Sequence, residues 1–266
     1  MGTDPETDLF ADGAAYEQYV GRWSRPVGSM FIDWLARPPG LNWVDVGCGT
    51  GALTETVLTR ANPASVVGVE PSEAFLGLAQ ARIDDVRADF RTGDAQSLPV
   101  ASGAADIAVS GLVLNFVPDQ QRMVEEMRRV VGANGTIAAY VWDYSGEMQL
   151  MRHFWDAAIA LFPNAAAHDE GRLFPICERE PLAKLFRASG LSAVETCALD
   201  TPTVFRDFED YWSPFLRGQG PAGAYCVALA DDDQERLRAR LERTLPMNAD
   251  GSISLIARAW AVRGIA

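Results

Sequence analysis

The sequence predicts an α/β fold built on a doubly wound, mostly parallel sheet, and two observations lead to that prediction. Short apolar runs alternate with helical segments five times between residues 43 and 142. In addition, the stretch from Val44 to Gly51 reads VDVGCGTG, so that an apolar run stops in three alternating glycines and a helical segment follows at once. Short buried strands separated by crossover helices are typical of a parallel sheet with helices on both faces.

The first half of the chain shows the apolar spacings that are typical of helices and of strands. Apolar residues recur at intervals of three and four over 27–36, which predicts an amphipathic helix, and a shorter helix is expected over 14–20. Five short strands are expected, at Trp43–Val46, Ser65–Glu70, Val86–Thr92, Ala105–Ser110 and Thr136–Trp142. Helices are expected at 51–61, from Glu73 to about Ile83 with Ser72 as its N-cap, and from Asp119 to the glycine at 132.

After Tyr144 the alternation stops. Helices are expected at 148–162, 180–189, 208–216 and 231–245, strands at 193–199 and 252–262, and a loop at 163–175. The segments 144–178 and 202–230 do not fit the pattern, and we expect them to form helical cap elements over the carboxyl edge of the sheet. The chain is thus expected to form a single domain over 1–266, with N-terminal helices within 14–36.

Composition narrows the class of ligand. The net charge of −13 argues against nucleic-acid binding, which needs clustered Lys and Arg, and therefore favours a small-molecule substrate. Arginines do cluster at Arg128-Arg129, but acids at helical spacing predict a solvated, ion-paired face there. No apolar run approaches the roughly 20 residues of a membrane span. The four cysteines lie far apart without CxxC spacing and no secretory signal is visible, so we expect no metal and a cytoplasmic location.

The glycine stretch predicts a strand, a tight turn and a helix N-terminus, where backbone N–H groups come close to a ligand. It fits the G-x-G-x-x-A fingerprint of dinucleotide enzymes and equally a G-x-G-x-G loop for another adenosine cofactor. Glu70 ends the second strand and suits two ribose hydroxyls in either case. Asp45 favours a cationic ligand over a pyrophosphate because an anion would repel the phosphates. Asp94, after the third strand, suits an adenine amino group.

Four stretches together resemble the class I S-adenosylmethionine-dependent methyltransferases, in particular the small-molecule branch of the ubiquinone/menaquinone-biosynthesis type. They are VDVGCGTG from Val44, GVEPS from Gly68, GDA from Gly93 and DIAVS from Asp106. The resemblance covers residues 40–142 and implies a Rossmann-like, seven-stranded sheet whose last two strands would be those at 193–199 and 252–262. It also implies S-adenosylmethionine as cofactor, S-adenosylhomocysteine as product and methyl transfer to a small molecule. About 50 residues separate those last two strands, which is a departure from the family.

The resemblance also implies which residues meet the cofactor. They are Asp45, Gly47, Cys48, Gly49, Gly51, Glu70, Pro71, Ser72, Asp94, Ala95, Gln96, Ser110 and Gly111. Tyr19 or Arg22 would meet its carboxylate, the alternative being an aromatic staple on the first helix. Cys48 is expected to be a small residue that fits the loop, without a redox role.

Residues that follow the fourth and fifth strands are candidates for the substrate site, because ligands of such sheets bind beyond the strands' carboxyl ends. Here they are Asn115, Phe116, Trp142, Asp143 and Tyr144. For Phe116 and Trp142 the alternative is a place in the core. His153 is a further candidate or a packing histidine, and His168-Asp169-Glu170 could be a base with its orienter or a solvated polar loop. Two other functions stay open: an NAD(P)-dependent oxidoreductase, and a cofactor-binding protein without catalysis.

Overall fold

A computed structural model describes residues 22–266 of the chain. Its helices are α1 Arg22–Leu35, α2 Ala52–Arg60, α3 Glu73–Arg82, α4 Gln120–Val131, α5 Gln149–Leu161, α6 Glu170–Leu173, α7 Arg179–Ala188, α8 Phe208–Trp212, α9 Gly220–Ala228 and α10 Asp231–Thr244. Its strands are β1 Asn42–Val46, β2 Ser65–Glu70, β3 Ala88–Thr92, β4 Ile107–Gly111, β5 Thr136–Trp142, β6 Ser192–Phe205 and β7 Ile253–Ile265. Short 3₁₀ turns occupy Leu114–Phe116, Pro163–Ala167, Pro175–Cys177 and Phe215–Arg217.

The seven strands form one sheet in the order β3-β2-β1-β4-β5-β7-β6. The pairs β1–β2, β1–β4, β2–β3 and β4–β5 are parallel, whereas β5 pairs with β7 antiparallel. Every residue of β5 is buried, as expected for a strand covered on both faces. The predicted fold class, a doubly wound and mostly parallel seven-stranded sheet, is confirmed. The strand order reverses between β1 and β4, and this topological switch point is where such sheets bind ligands.

The N-terminal part of the prediction needs one correction. The helix expected at 27–36 begins earlier, at Arg22, so that Pro26 lies inside α1. Proline in a helix costs about 3 kcal/mol because it removes one donor and crowds the preceding turn. The helix continues past it because its apolar face, formed by Val27, Phe31 and Leu35, is completely buried. The helix expected at 14–20 lies outside the described residues.

The second half of the chain departs further from the prediction. The expected loop at 163–175 contains α6 and the 3₁₀ turn Pro163–Ala167. The strand expected at 193–199 is 14 residues long, so the first residues of the segment 202–230 belong to β6 rather than to a cap. Within the segment 202–230, no individual helix was placed at α9, because its sequence GPAGAYCVA carries two glycines and a proline. The helix expected at 208–216 is α8 followed by a separate 3₁₀ turn.

The chain divides into two compact units. The first, which we call the sheet unit, comprises Ser24–Trp142, Ile176–Leu199 and Ala259–Ala266. The second, which we call the helical unit, comprises residues 22–23, Asp143–Pro175 and Asp200–Arg258 of the described part of the chain. Among the described residues no helix is both long enough and apolar enough to cross a bilayer. The single domain expected from the sequence stays a prediction.

The helical unit has its own core of aromatic side chains. Phe154 of α5 stacks on Phe215 with ring centroids 4.4 Å apart, and the Tyr211 hydroxyl donates to the Leu150 carbonyl at 2.9 Å. Glu170 is buried beside this cluster, where its carboxylate accepts the Trp155 indole N–H and the Ala222 backbone N–H. Burial raises the pKa of Glu170 to about 7, although these N–H donors oppose the rise.

We expect Glu170 to make folding stability depend on pH. Its pKa is about 7 in the folded protein, whereas the ordinary pKa of a glutamate side chain is 4.5. The stabilising contribution of Glu170 is therefore present at low pH and is lost as pH rises through 7. Between pH 5.5 and 8 this loss amounts to about 2 kcal/mol. Chemical denaturation at both pH values should show that the free energy of unfolding of the wild type falls by this amount relative to that of Glu170→Gln.

Two comparisons exclude other causes of the pH dependence of folding stability. Glu180→Gln removes an exposed carboxylate of α7 and should leave the pH dependence unchanged. Asp45, whose pKa is also raised to about 7, contributes equally to both proteins in the comparison. An equal difference in stability between wild type and Glu170→Gln at the two pH values would contradict the prediction.

Candidate functional site

The loop after β1 lies at the switch point, and its three glycines have left-handed backbones. The φ angles are +74° at Gly47, +53° at Gly49 and +86° at Gly51. A Cβ on Gly47 would lie 2.6 Å from a methyl of Val113, and one on Gly51 would lie 2.6 Å from Ile83. A Cβ on Gly49, in contrast, would have no atom within 4 Å. Two of the glycines are therefore required by neighbouring side chains, while the third borders open space.

Glu70, the last residue of β2, joins this loop to the loop after its own strand. One carboxylate oxygen accepts the Gly49 N–H at 3.1 Å and the other accepts the Ser72 N–H at 3.1 Å. Burial raises the pKa of Glu70, whereas the two N–H donors favour its charged form. The carboxylate keeps further lone pairs that can accept from a ligand's hydroxyl groups.

Asp45 lies within β1 and is completely buried. Its Oδ2 accepts the Thr54 hydroxyl at 2.7 Å, while its Oδ1 has no hydrogen-bond partner among the described residues. Burial raises the pKa of Asp45 to about 7, and the nearby charge of Glu70 adds to that rise. An uncompensated buried acceptor is unfavourable, so this oxygen suits a ligand that carries an N–H donor.

The chain after β3 turns tightly at Asp94. The Asp94 carboxylate accepts the Gln96 N–H at 2.7 Å, and its carbonyl accepts the Ser97 N–H at 3.0 Å. Asp94 is exposed, and Ala95 and Gln96 are half-buried. The turn thus leaves Asp94 exposed and Ala95 partly exposed at the carboxyl end of β3.

Three other predicted cofactor residues have packing roles. The Cys48 thiol is buried, and burial followed by the charges of Asp45 and Glu70 raises its pKa far above its usual range, which disfavours the reactive thiolate. The Ser110 hydroxyl is buried and donates to the Val46 carbonyl at 2.7 Å. A Cβ on Gly111 would lie 2.5 Å from the Tyr140 hydroxyl. Leu112, which follows, has a left-handed backbone with φ of +63°, a strained conformation for a non-glycine residue.

The candidate substrate residues of the sheet unit follow β4 or end β5. Asn115 and Trp142 are both buried, and the Asn115 Nδ2 and the Trp142 Nε1 find no acceptor within residues 22–266. Phe116 is 42% exposed, so the alternative that it belongs to the core is wrong. For Trp142 that alternative is correct in terms of burial, although its indole N–H remains unpaired.

Other candidates lie in the helical unit. Tyr144 is buried and its ring lies 6.1 Å from that of Phe174, while burial lowers the pKa of the half-buried His153. His168 is exposed, whereas Asp169 and Glu170 are buried, so a solvated polar loop is the wrong description of this stretch.

The polar partners of this stretch also argue against an acid–base pair. The Asp169 carboxylate accepts two bonds from Arg152, at 2.9 and 3.0 Å, and therefore does not orient His168.

Arg22 makes an ion pair with Asp210 at 3.4 Å and stacks over the rings of Trp23 and Phe205. Its predicted contact with a cofactor carboxylate stays a prediction, and Tyr19 lies outside the described residues. Pro71 and Ser72 follow Glu70, and the Ser72 hydroxyl accepts the Phe75 N–H as the N-cap of α3, as expected.

Comparison with known proteins identifies the family. The family described as "Methyltransferase domain" matches residues 44–139. The chain is 30% identical over 173 residues to a demethylmenaquinone methyltransferase of Desulfitobacterium hafniense, a match that covers 58% of this chain and 67% of the relative. The chain belongs to the S-adenosylmethionine-dependent methyltransferases. This membership decides between the two cofactors that the glycine loop allowed, since the cofactor of the family is S-adenosylmethionine.

One further relative and one solved structure are similar to this chain. A trans-aconitate 2-methyltransferase of Variovorax paradoxus is 30% identical over 133 residues, and the chain spans about half of its length, 49%. The solved structure of a protein from Bacillus halodurans, described as a methyltransferase, superposes with a TM-score of 0.61 over 90% of this chain and 97% of that one. At 13% identity the latter likeness shows the fold alone.

Two residues that were not candidates for the site contact the chain that follows the turn after β3. Glu126 and Arg129 form the ion pair expected from their helical spacing, at 2.7 Å, but the Glu126 side chain is only 4% exposed. The predicted ion pair is present and Arg128 is exposed, whereas Glu126 is buried rather than solvated. The Glu126 carboxylate accepts the Leu98 N–H at 2.9 Å and Arg129 donates to the Leu98 and Val100 carbonyls. No spacing in the sequence indicates that residues 98–100 pack on α4.

Gly47→Ala should destabilise the methyltransferase domain by about 3 kcal/mol, because it adds backbone strain to overpacking against the stiff Val113 side chain. Gly40→Ala is a matched control, since Gly40 has a φ of +81° with no atom within 4 Å of its Cβ position. It should cost only the backbone strain, about 1–2 kcal/mol. Urea denaturation measures both, and equal losses would show that contact with Val113 contributes nothing.

Proposed function

We propose that this protein transfers the methyl group of S-adenosylmethionine to a small-molecule acceptor by in-line displacement. The observation that carries the proposal is Glu70, whose carboxylate ends β2 beside the glycine loop at the switch point and keeps lone pairs for a ribose. The open space beside Gly49 and the unpaired Oδ1 of Asp45 support the fit of an adenosine with a cationic end.

Each part of the cofactor has a proposed binding residue. Glu70 holds the ribose hydroxyls, Asp94 and the Ala95 N–H contact the adenine with Pro71, Ser72 and Gln96 beside it, and Asp45 orients the ammonium group. The loop from Gly47 to Gly51 passes the ribose and methionine portions, and Ser110 and Gly111 border the amino-acid end. Tyr19 or Arg22 meets the cofactor's carboxylate.

The bound cofactor supplies a methyl group activated by a sulfonium. What the protein's residues contribute is orientation of the acceptor and exclusion of water, effects that reach ~7–11 kcal/mol in favourable cases. A base is needed only where the acceptor arrives protonated with a high pKa. In residues 22–266 no group of three or more His, Cys, Asp or Glu side chains is arranged to hold a metal ion.

The small-molecule character of the acceptor rests on two observations. The relatives named above act, by their names, on trans-aconitate and demethylmenaquinone. The net charge of −13 disfavours a polyanionic acceptor such as RNA.

Asn115 and Trp142 each offer an unpaired, buried N–H, and leaving such a donor unpaired costs about 1–3 kcal/mol. An acceptor that carries carbonyl or carboxylate oxygens would satisfy them; Tyr144 and His153 are the candidates from the helical unit.

Glu70→Ala should weaken S-adenosylhomocysteine binding by roughly 1–3 kcal/mol, because the ribose hydroxyls lose a charged acceptor. Glu125→Ala, which removes an exposed carboxylate of α4, is the control and should bind as the wild type does. Isothermal titration calorimetry measures the Kd of both variants, with NAD and NADP as ligands that should not bind. If Glu70→Ala keeps the wild-type affinity, the ribose is not held there.

The methyl transfer itself is tested with tritiated S-adenosylmethionine and a panel of small acceptors: a hydroquinone, a phenol, an unsaturated tricarboxylate and an amine. We expect the label to appear on at least one of them and its amount to fall with Glu70→Ala at limiting cofactor. Parallel reactions contain total RNA and a protein mixture. Labelling of those alone would overturn the small-molecule proposal, and tight binding without any transfer would overturn catalysis.

A further inference from the structure

The turn after β3 continues into a loop of residues 94–100, which we call the Asp94 loop. Within it, local hydrogen bonds from Gln96 and Ser97 to Asp94 shape the turn but do not fix its place on the sheet. Asp94, Ser97 and Pro99 are exposed, and only Leu98 and Val100 are buried. A loop with so few buried side chains needs polar contacts from elsewhere to hold one position.

Helix α4 supplies those contacts through Glu126 and Arg129. The Glu126 Oε2 accepts the Leu98 N–H at 2.9 Å, and Arg129 donates to the Leu98 carbonyl at 3.1 Å and to the Val100 carbonyl at 2.8 Å. Arg129 also donates to both oxygens of Glu126, at 2.7 and 2.8 Å. This doubly bonded ion pair, whose carboxylate is buried and whose arginine is 33% exposed, thus satisfies three backbone groups of the loop.

The first turn of the same helix contacts the start of the loop. Arg122 donates to the Gln96 carbonyl at 3.2 Å and to Glu126 at 3.2 Å. The Gln96 side-chain oxygen accepts the Asp119 N–H at 3.0 Å, and the Gln96 side-chain nitrogen donates to the Asp94 carboxylate at 3.4 Å. A continuous chain of hydrogen bonds therefore leads from Glu126 to Asp94.

The electrostatics of Glu126 suit this role. The bonds from Arg129 lower the pKa of Glu126 despite its burial, and the Leu98 N–H and the charge of Arg122 act in the same direction. The carboxylate therefore stays charged at neutral pH, and its bonds to the loop keep their strength.

We propose that Glu126 and Arg129 are positioning residues for the cofactor's adenine, because they hold the Asp94 loop against α4 at the carboxyl end of β3. This inference rests on the proposed function, in which Asp94 and Ala95 contact the adenine. Neither residue touches the cofactor, and their effect on binding passes through the loop.

The test is a double-mutant cycle on the full-length protein, read by titration calorimetry. Glu126→Gln should raise the Kd of S-adenosylhomocysteine roughly fivefold, in the range found for residues that share one hydrogen-bond network. It should raise the Kd of methylthioadenosine, which carries adenine but no amino-acid end, by the same factor. In the Asp94→Ala background, Glu126→Gln should have a clearly smaller effect, because only the Ala95 contact with the adenine is then left for the loop to position. The control is Asp85→Asn, which breaks an ion pair with Arg87 outside the loop and should leave both Kd values unchanged.

Hydrogen exchange separates positioning from general loss of stability. In the ligand-free protein, Glu126→Gln should speed amide exchange in a peptide spanning 94–100 and leave β1 and β5 protected, whereas Asp85→Asn should leave that peptide unchanged. If Glu126→Gln does not fold, Arg129→Lys replaces it, because a lysine has one ammonium and cannot reach all of the acceptors held by Arg129.

The outcomes are distinct. Wild-type affinity or wild-type exchange in Glu126→Gln would overturn the positioning role, as would a full fivefold effect in the Asp94→Ala background. A loss seen with S-adenosylhomocysteine but not with methylthioadenosine would overturn it too. Wild-type affinity of the Asp94→Ala single variant would instead show that Asp94 does not contact the adenine. The inference would then be wrong together with that part of the proposed function.

Discussion

The arrangement of the site depends on the carboxylate of Glu70, which accepts one N–H from each of two loops. Those loops follow β1 and β2, neighbouring parallel strands whose register places Val46 opposite Val69. The Val69 carbonyl in turn accepts the N–H groups of Gly47 and Cys48, at 2.8 and 3.0 Å, so the end of β2 holds the glycine loop with both backbone and side chain. A buried carboxylate with two N–H partners is tolerated here because each oxygen is at least partly satisfied.

Other buried carboxylates of the protein have different partners and therefore different charges. Glu126 is bonded to arginine and its pKa is lowered, so it remains an anion that can hold backbone groups in place. Asp45 and Glu170 have only hydroxyl or N–H donors, and burial raises the pKa of each to about 7. A cation within hydrogen-bond distance thus opposes the effect of burial on the pKa of an acid. An ammonium group near Asp45 would give that residue the counter-charge that Glu126 already has.

The sequence was sufficient for features that depend on neighbours in the chain. Strand and helix periodicity, the glycines after β1, Glu70 at the end of β2 and the Ser72 cap were all predictable, because each is set within a few residues. The length of β6, the burial of Glu170 and the role of Glu126 were not. Leu98 and Glu126 are 28 residues apart, and Glu170 and Ala222 are 52 apart, so their contacts depend on how whole elements pack. Helix α9 forms despite poor local propensity, which tertiary contacts such as the bond from Ala222 to Glu170 can outweigh.

The three glycines of the loop illustrate the limit of a motif taken alone. All three have left-handed backbones, yet Gly47 is required by Val113 and Gly51 by Ile83, both of which come from other parts of the sheet unit. Those two would be needed in any loop packed this way, whatever it binds. Gly49 differs, because its missing Cβ borders open space and its N–H donates to Glu70. We therefore place the proposed ligand contact of the loop at its middle glycine and at the acid that accepts from it, whereas the flanking glycines set the backbone path that brings the two together.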